Sequence, residues 1–172
     1  LAALYAREKT GRGQFIDISM QDGAAQFLSL YMGEFIATGK EPQRGNEALS
    51  GLLPNYQVYE TKDKKYVMLA ALEENFFKTF LKQINRLDII ENMARDEKGF
   101  AQVRSELTRI FKEKTYEEWA PLFEHPDSCF SGISSLAEVA KDKHLRERGI
   151  IREINHPKLG DILVLGSPFH FS

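Results

Sequence analysis

The sequence predicts an α+β fold in which two β-hairpins flank a mostly helical middle. YQVYE and YVMLA are short β-type stretches on either side of the polar TKDKK, which is typical of a hairpin. IIREINHP and ILVL surround a second turn near the C-terminus in the same way. The residues between the two hairpins carry apolar side chains at helical spacing, and no internal repeat interrupts this order.

The N-terminal segment predicts helices and one short strand. Residues 1–9 present an apolar face of leucine and alanine, and this helix is expected to end at Gly11, which can adopt positive φ. Residues 15–20, FIDISM, alternate between two sets of side chains, which predicts a strand. Residues 22–39 predict one long helix that Asp22 caps.

A loop of roughly 15 residues, KEPQRGNEALSGLLP, precedes the first hairpin, and loops of this length are often functional or connect domains. Two amphipathic helices are predicted after the hairpin. Their apolar stripes consist of Phe76, Phe77, Phe80, Leu81 and Ile84 in the first helix and of Val103, Leu107, Ile110 and Phe111 in the second. Thr115 and Glu118 have the spacing of a capping box, and SSLAEVAKD and KDKHLRERG predict two further short helices.

The composition limits the partners and the compartment. The 172 residues are 42% apolar and carry a net charge of −2, which gives no electrostatic basis for binding nucleic acid or an anionic membrane. No apolar run approaches the ~18 residues of a membrane-spanning helix, and no signal-peptide pattern is present. The single cysteine, Cys129, excludes an internal disulfide and fits a reducing compartment, so we expect a cytoplasmic protein in which this thiol is packed.

Signals for catalysis or metal binding are sparse. The sequence contains no P-loop, no Rossmann glycine fingerprint and no Cys/His cluster with metal-ligand spacing, so no metal site is predicted. GRGQ ends a helix instead of opening one and therefore lacks the geometry of a phosphate cradle. The histidines lie beside proline, lysine or turn residues, which favours surface or turn roles for His125, His144, His156 and His170.

The stretch ALEENFF places two acids, Glu73 and Glu74, where a buried strand is predicted to end and a helix to begin. Acids in the first turn of a helix are stabilised by the helix dipole, which supports a capping role. Functional sites also form where strands end and helices begin, which supports a role in a site. A carboxylate held there stays charged, so it accepts hydrogen bonds and orients a partner but is a poor proton donor at neutral pH. The residues alone leave both interpretations open.

The two ends of the chain predict that it is a piece of a larger protein. It opens on LAALYAREK without an initiator Met, as the last part of a helix whose start is missing. It closes on LVLGSPFHFS, in extended sequence with no polar tail.

Four segments then carry a family resemblance: ALYAREKTGRGQFIDISMQDGAAQF, GLLPNYQVYETKDKKYVMLAALEENFF, KDKHLRERGII and GSPFHFS. In this order, and across essentially all of the chain, the sequence resembles the class III CoA-transferases, the carnitine dehydratase/bile-acid CoA-transferase family. SGLLPNYQVYE and the acid in ALEENFF resemble the α-methylacyl-CoA racemase branch. Oxalate-type transferases carry a longer glycine-rich loop near that point, and this sequence lacks it.

The resemblance implies an architecture for the whole enzyme. Family members have a large α/β domain, built from the N-terminal half and a returning C-terminal segment, and a small α+β domain from the middle of the chain. Residues 1–39 then correspond to the end of the large domain's N-terminal part and a linker helix. Residues 40–148 correspond to the small domain, and residues 149–172 to the return segment. The family forms interlocked dimers, so a homodimer is expected.

The resemblance also implies which catalytic groups this chain lacks. Family transferases use an Asp nucleophile, and the racemases use a His and an Asp as bases on opposite faces of the α-carbon. All of these groups, and most contacts to coenzyme A, are expected before Leu1, so the chain by itself is expected to be inactive. Glu73 matches the acid that accepts a hydrogen bond from the catalytic His, which leaves Glu74 for the cap. The expected substrate is an acyl-CoA thioester, with no metal, and the coenzyme A-binding residues of this chain are unknown.

Three functions remain open at this point. The chain is part of an acyl-CoA racemase, part of an acyl-CoA:carboxylate or carnitine-type CoA-transferase, or a binding or assembly domain without catalysis. A His and an Asp upstream of Leu1 indicate the racemase, and the Asp without the His indicates the transferase.

Overall fold

The computed structural model describes residues 1–170, so Phe171 and Ser172 of the predicted return segment lie outside the described residues. The helices are, in chain order, α1 (Ala2–Thr10), α2 (Met20–Gln26), α3 (Ser29–Thr38), α4 (Glu74–Gln83), α5 (Asp88–Glu91), α6 (Glu97–Phe111), α7 (Tyr116–Trp119), α8 (Leu136–Val139) and α9 (Lys143–Glu147). The strands are β1 (Tyr56–Glu60), β2 (Tyr66–Ala70), β3 (Phe130–Ile133), β4 (Ile151–His156) and β5 (Gly160–Leu165). Helices combined with small antiparallel sheets confirm the predicted α+β class.

The chain divides into two compact units, Leu1–Arg44 and Gly45–Ser172. The division falls within the loop predicted before the first hairpin, and this loop contains one irregular helical turn at Ala48–Leu52. The assignment of these segments to the domains of a larger enzyme stays a prediction.

Helix α1 ends where its glycine predicts. Gly11 adopts the left-handed conformation at φ 66°, and its N–H donates to the carbonyl of Arg7 at 2.8 Å. The prediction of a strand over residues 15–20 is wrong, because this segment has no regular secondary structure up to Ser19. Phe15 and Ile18 are exposed, so the alternating pattern does not correspond to a buried strand face.

The long helix predicted over residues 22–39 is two helices. The N–H groups of Phe27 and Leu28 donate to carbonyls three residues back, which tightens the backbone and separates α2 from α3. Asp22 is not the cap, because Ser19 precedes the helix with extended backbone and its Oγ accepts from the Asp22 N–H at 3.2 Å. The predicted end is confirmed, since Gly39 closes α3 at φ 71°.

The helices of the first unit leave large apolar side chains exposed, and these predict self-association. Leu4, Phe27, Leu30, Ile36 and Met32 are among them. Apolar patches of this kind drive association in water, so light scattering of the 172-residue chain should show a dimer or a larger species at roughly tens of micromolar. The double variant Phe27→Lys, Ile36→Glu should shift the chain toward the monomer. A wild-type chain that scatters as a clean monomer contradicts the prediction.

The first predicted hairpin is confirmed and belongs to a three-stranded antiparallel sheet with the order β1–β2–β3. Tyr56 lies opposite Ala70 in the hairpin, and Phe130 of the third strand lies opposite Leu69. No sequence pattern predicts β3, because it has only four residues and one of them, Gly132, disfavours strands.

The core of the second unit lies between this sheet and helices α4 and α6. The sheet contributes buried Tyr59, Val67, Leu69 and Phe130, and the helices contribute Phe77, Phe80, Leu81, Val103, Leu107, Ile110 and Phe111. Phe76 and Ile84 are partly buried against this cluster. Both predicted apolar stripes are therefore confirmed as core-facing.

Two structures predicted from local sequence patterns are confirmed in the last third of the chain. Thr115 and Glu118 form the capping box of α7, in which the Thr115 N–H donates to the Glu118 carboxylate at 2.7 Å. Strands β4 and β5 form the second hairpin, with Ile151 opposite Leu165.

Candidate functional site

Glu73 is the last residue of the short segment between β2 and α4, and Glu74 is the first residue of α4. Asn55, which lies just before β1, is buried, and its Nδ2 donates to the carbonyls of Ala71 at 2.7 Å and of Leu72 at 3.1 Å. A buried amide that bridges two successive carbonyls satisfies both of them and fixes the backbone that leads to Glu73.

The loop before β3 anchors the end of β2, directly before this segment. The N–H of Ala70 donates to the carbonyl of Cys129 at 2.8 Å, and Cys129 adopts a left-handed conformation at φ 46°. The thiol is exposed, so the prediction that it is packed is wrong; the residue precedes β3 and does not take a core position in it. Desolvation by nearby atoms, followed by the charges of Glu73 and Asp127, raises the pKa of the Cys129 thiol. The thiol is therefore mostly protonated at neutral pH.

Glu73 occupies the N-cap position of α4 without acting as a cap through its side chain. Its backbone is extended at φ −78° and ψ 144°, its carbonyl accepts the first helical hydrogen bond from Phe77 at 3.1 Å, and its carboxylate makes no capping hydrogen bond. The side chain is exposed. The carboxylate is thus presented to the surroundings from a rigid backbone, at the edge where β2 ends.

Glu74 begins the helix and is committed to ion pairs. Its carboxylate contacts Lys78 Nζ at 2.5 Å and also pairs with Arg95. Hydrogen bonds from Lys78 and then from Arg95, with the charges of both groups, lower the pKa of Glu74 to about 2. Of the two acids, Glu74 has a local structural role, although in the first helical turn and not at the cap position.

These ion pairs predict an acid-sensitive contribution to folding stability. A carboxyl group with a depressed folded pKa stabilises the fold fully above its ordinary pKa, here 4.5, and loses that contribution as the pH falls toward about 2. Glu74→Gln should therefore remove part of the acid destabilisation between these values. Urea unfolding of both chains at a series of pH values measures the difference. Glu8→Gln on α1 is the control, and equal pH slopes for wild type and Glu74→Gln contradict the prediction.

The histidines take the surface and turn positions predicted for them. His125, His144 and His170 are exposed, and His156 Nδ1 accepts from the N–H groups of Lys158 and Leu159 at the tip of the second hairpin. Within residues 1–170, no group of three His, Cys, Asp or Glu side chains is placed to hold a metal ion. In the same part of the chain, no helix has the length and apolarity needed to cross a membrane.

Two residues that shape this region were not identified from the sequence. Asn55 is separated by 16 residues from Ala71, and Arg95 by 21 residues from Glu74, so only the fold brings each pair together. Lys78 could have been found, because it follows Glu74 by four residues, the spacing of a helical ion pair.

Comparison with known proteins shows the family to which this chain belongs. The model of CoA-transferase family III matches residues 1–172. The chain therefore belongs to CoA-transferase family III, and the resemblance found in the sequence is confirmed.

Curated relatives include both racemases and transferases. Human alpha-methylacyl-CoA racemase is 31% identical over 87% of this chain and 39% of the relative. Mouse succinyl-CoA:glutarate CoA-transferase is 29% identical over 100% of this chain and 40% of the relative. The chain thus spans about two fifths of the length of these relatives. Since the two identities are similar, they do not choose between the activities.

Solved structures agree with the family assignment. A CAIB/BAIF family protein from Brucella suis is 26% identical and superposes with a TM-score of 0.64, covering 99% of this chain and 45% of that chain. Rv3272 from M. tuberculosis superposes with a TM-score of 0.75 at 18% identity, covering 99% and 45%. The second match supports the fold alone.

Proposed function

We propose that this chain is part of an α-methylacyl-CoA racemase-like enzyme, in which Glu73 accepts a hydrogen bond from a catalytic His outside the chain. The observation that carries the proposal is the state of the Glu73 carboxylate. It is exposed and makes no capping hydrogen bond, while its neighbour Glu74 takes the ion pairs.

The backbone around Glu73 supports a positioning role. Cys129 anchors Ala70 at the end of β2, and Asn55 anchors Ala71 and Leu72, so the backbone is held up to the residue before Glu73 although the Glu73 side chain is exposed. A positioning group has to rest on such a rigid support, because a small displacement of its acceptor atoms weakens the hydrogen bond that orients the base.

The reaction explains the need for an acceptor of this kind. Removal of the proton α to a thioester produces an enolate, and inversion requires a base on each face of the α-carbon. A carboxylate that accepts from the Nδ1–H of a His leaves Nε2 free to take the proton. It also stabilises the imidazolium that forms. Glu73 suits this role because its carboxylate makes no capping hydrogen bond at the start of α4 and is exposed.

A CoA-transferase activity is the second candidate, and the match over the whole chain to a succinyl-CoA:glutarate CoA-transferase favours it. The two activities differ in their need for a co-substrate. A racemase exchanges the α-proton of a 2-methylacyl-CoA without any acceptor, whereas a transferase moves coenzyme A only when a second carboxylate is present.

The deciding experiment uses a longer protein that contains this chain. A chiral 2-methylacyl-CoA is incubated in deuterated water without a carboxylate acceptor, and mass spectrometry and optical rotation follow deuterium uptake and inversion. The racemase proposal predicts one deuterium at the α-carbon together with loss of optical purity. Thioester exchange that requires an added carboxylate, with no deuterium uptake, overturns it in favour of the transferase.

The 172-residue chain by itself is expected to do neither reaction. The proton-transfer and nucleophilic groups are expected to lie outside it, and Glu73 is a positioning residue that cannot replace them. Purified chain should give no deuterium uptake and no coenzyme A transfer above a heat-treated sample. Enzymatic activity that co-elutes with the chain in a final chromatography step contradicts this expectation.

A further inference from the structure

A second candidate site is a cleft beside the segment between β2 and α4. A cleft of about 180 Å³ opens in the second unit, and most of its lining is apolar. The apolar lining consists of Leu53, Leu72, Phe77, Ile90, Met93 and Phe100. An apolar cavity of about 150 Å³ can hold a molecule the size of benzene, so this cleft has room for a tail of about four or five carbons.

The lining of the cleft also contains one arginine, Arg95, and one acid, Glu74. The Glu74 carboxylate is paired with Arg95 and, outside the cleft lining, with Lys78. The side chain of Arg95 is 71% exposed, and its contact with Glu74 uses the Nη2 end of a guanidinium that has five N–H donors. The other N–H donors of this guanidinium are directed away from Glu74 and are suited to a second carboxylate.

The cleft is distinct from the position proposed for the racemase chemistry. Leu72 and Glu74 line it, and Glu73 between them has extended backbone, which directs neighbouring side chains to opposite sides. The Glu73 side chain therefore lies on the other side of the segment, where its charge acts on Cys129.

We propose that this cleft binds a short branched monocarboxylate. The alkyl tail lies among the leucine, isoleucine, methionine and phenylalanine side chains, and the carboxylate lies at the mouth beside Arg95. The small volume excludes a long acyl chain, and the neighbouring Glu74 carboxylate disfavours a phosphate dianion more than a monoanion. Met93 adapts the lining to different branching patterns, because its side chain is unbranched and flexible.

The ligand probes separate the contributions of tail and charge. 3-Methylbutanoate is titrated into the 172-residue chain with ¹³C-labelled methyl groups, and the chemical shifts of Met93, Leu72 and Ile90 are followed by NMR. The expected dissociation constant is on the order of 1 mM. 3-Methylbutan-1-ol, which has the same tail without the charge, and acetate, which has the charge without the tail, should each bind at least about three-fold more weakly.

The variants test the same two contributions. Leu72→Trp should fill the cleft and weaken 3-methylbutanoate by more than about ten-fold, and Leu72 is exposed enough to accept the larger side chain. Leu136→Trp, at an exposed leucine on α8 outside the cleft, should leave binding unchanged. Arg95→Gln should weaken the acid about three-fold and leave the alcohol unaffected. Arg109→Gln, at an exposed arginine on α6, is the matched control.

Three results overturn the proposal. They are a wild-type titration without saturating shifts at these methyl groups, equal affinities for the acid and the alcohol, and a Leu72→Trp chain that binds like wild type. None of them bears on the acyl-CoA chemistry, which depends on Glu73 and is measured by α-proton exchange, so failures of the two proposals are distinguishable.

Discussion

Replacement of Glu73 by glutamine, in a longer protein that contains this chain, is expected to lower kcat for α-proton exchange by about 10- to 100-fold. Glutamine is nearly isosteric with glutamate, and the Glu73 carboxylate makes no capping hydrogen bond, so the fold should not change. The effect should fall on kcat more than on KM. The hydrogen bond to the proposed His strengthens as that ring becomes charged in the transition state.

The expected size of this effect follows from the indirect role of the side chain. Loss of an orienting carboxylate costs up to about 10⁴-fold when the His tautomer is lost. Glutamine keeps an oxygen atom that can accept a hydrogen bond from the His, so the tautomer is retained and the smaller range is expected. The measurement is the rate of deuterium incorporation into a 2-methylacyl-CoA, compared with the rate of wild type at several substrate concentrations.

Glu74→Gln is the matched control for this experiment. It changes the neighbouring acid in the same way, but Glu74 is engaged with Lys78 and Arg95, so its loss should alter acid stability and leave the exchange rate close to wild type. If Glu73→Gln exchanges the α-proton at the wild-type rate, Glu73 is a structural residue at the helix start and the racemase proposal loses its local support.

Phe111→Ala is expected to destabilise the chain by about 3–5 kcal/mol, the range for truncation of a fully buried phenylalanine. Phe111 at the end of α6 is completely buried. Its ring stacks on Tyr59 with centroids 4.6 Å apart and contacts Trp119 at 5.2 Å and Phe130 at 5.6 Å. Truncation removes these contacts at once and leaves a cavity between the sheet and the helices.

Urea unfolding followed by tryptophan fluorescence measures this loss, because the only tryptophan, Trp119, belongs to the same cluster. Phe15→Ala provides the control, since this ring is 93% exposed and its truncation should change stability by no more than about 0.5 kcal/mol. A Phe111→Ala chain that unfolds at the wild-type urea concentration would show that the aromatic cluster is not the main source of stability.

Predictions from the sequence succeeded where the signal lies within a few residues. The stripe from Phe77 to Leu81, the capping box of Thr115 and Glu118, and the end of α3 at Gly39 each depend on contacts inside one element or one turn. The hairpin of β1 and β2 is similarly local, because its strands are joined by a short polar turn. Periodicity and capping chemistry are sufficient for such features.

Predictions failed where a residue's state depends on distant or competing partners. Residues 15–20 alternate like a strand, but a strand needs a paired neighbour and none pairs with this segment in the described part of the chain. Ser19 and Asp22 are both residue types that cap helices. Ser19 is the cap because it immediately precedes α2 and its side chain accepts from the N–H of Asp22, three residues later. β3 was missed because its pairing with β2 spans about sixty residues of intervening chain.

The sequence by itself determined the α+β class, the two hairpins, the apolar stripes and the family. Residue periodicity and the order of motifs can be recognised without knowledge of long-range contacts. It also singled out Glu73 and Glu74 as a pair. Only the tertiary structure showed their long-range surroundings, since Arg95, which lies 21 residues away in sequence, pairs with Glu74, and Asn55 fixes the backbone before Glu73. Pairings across such separations are decided by packing, because the chain must close a loop before the contact exists.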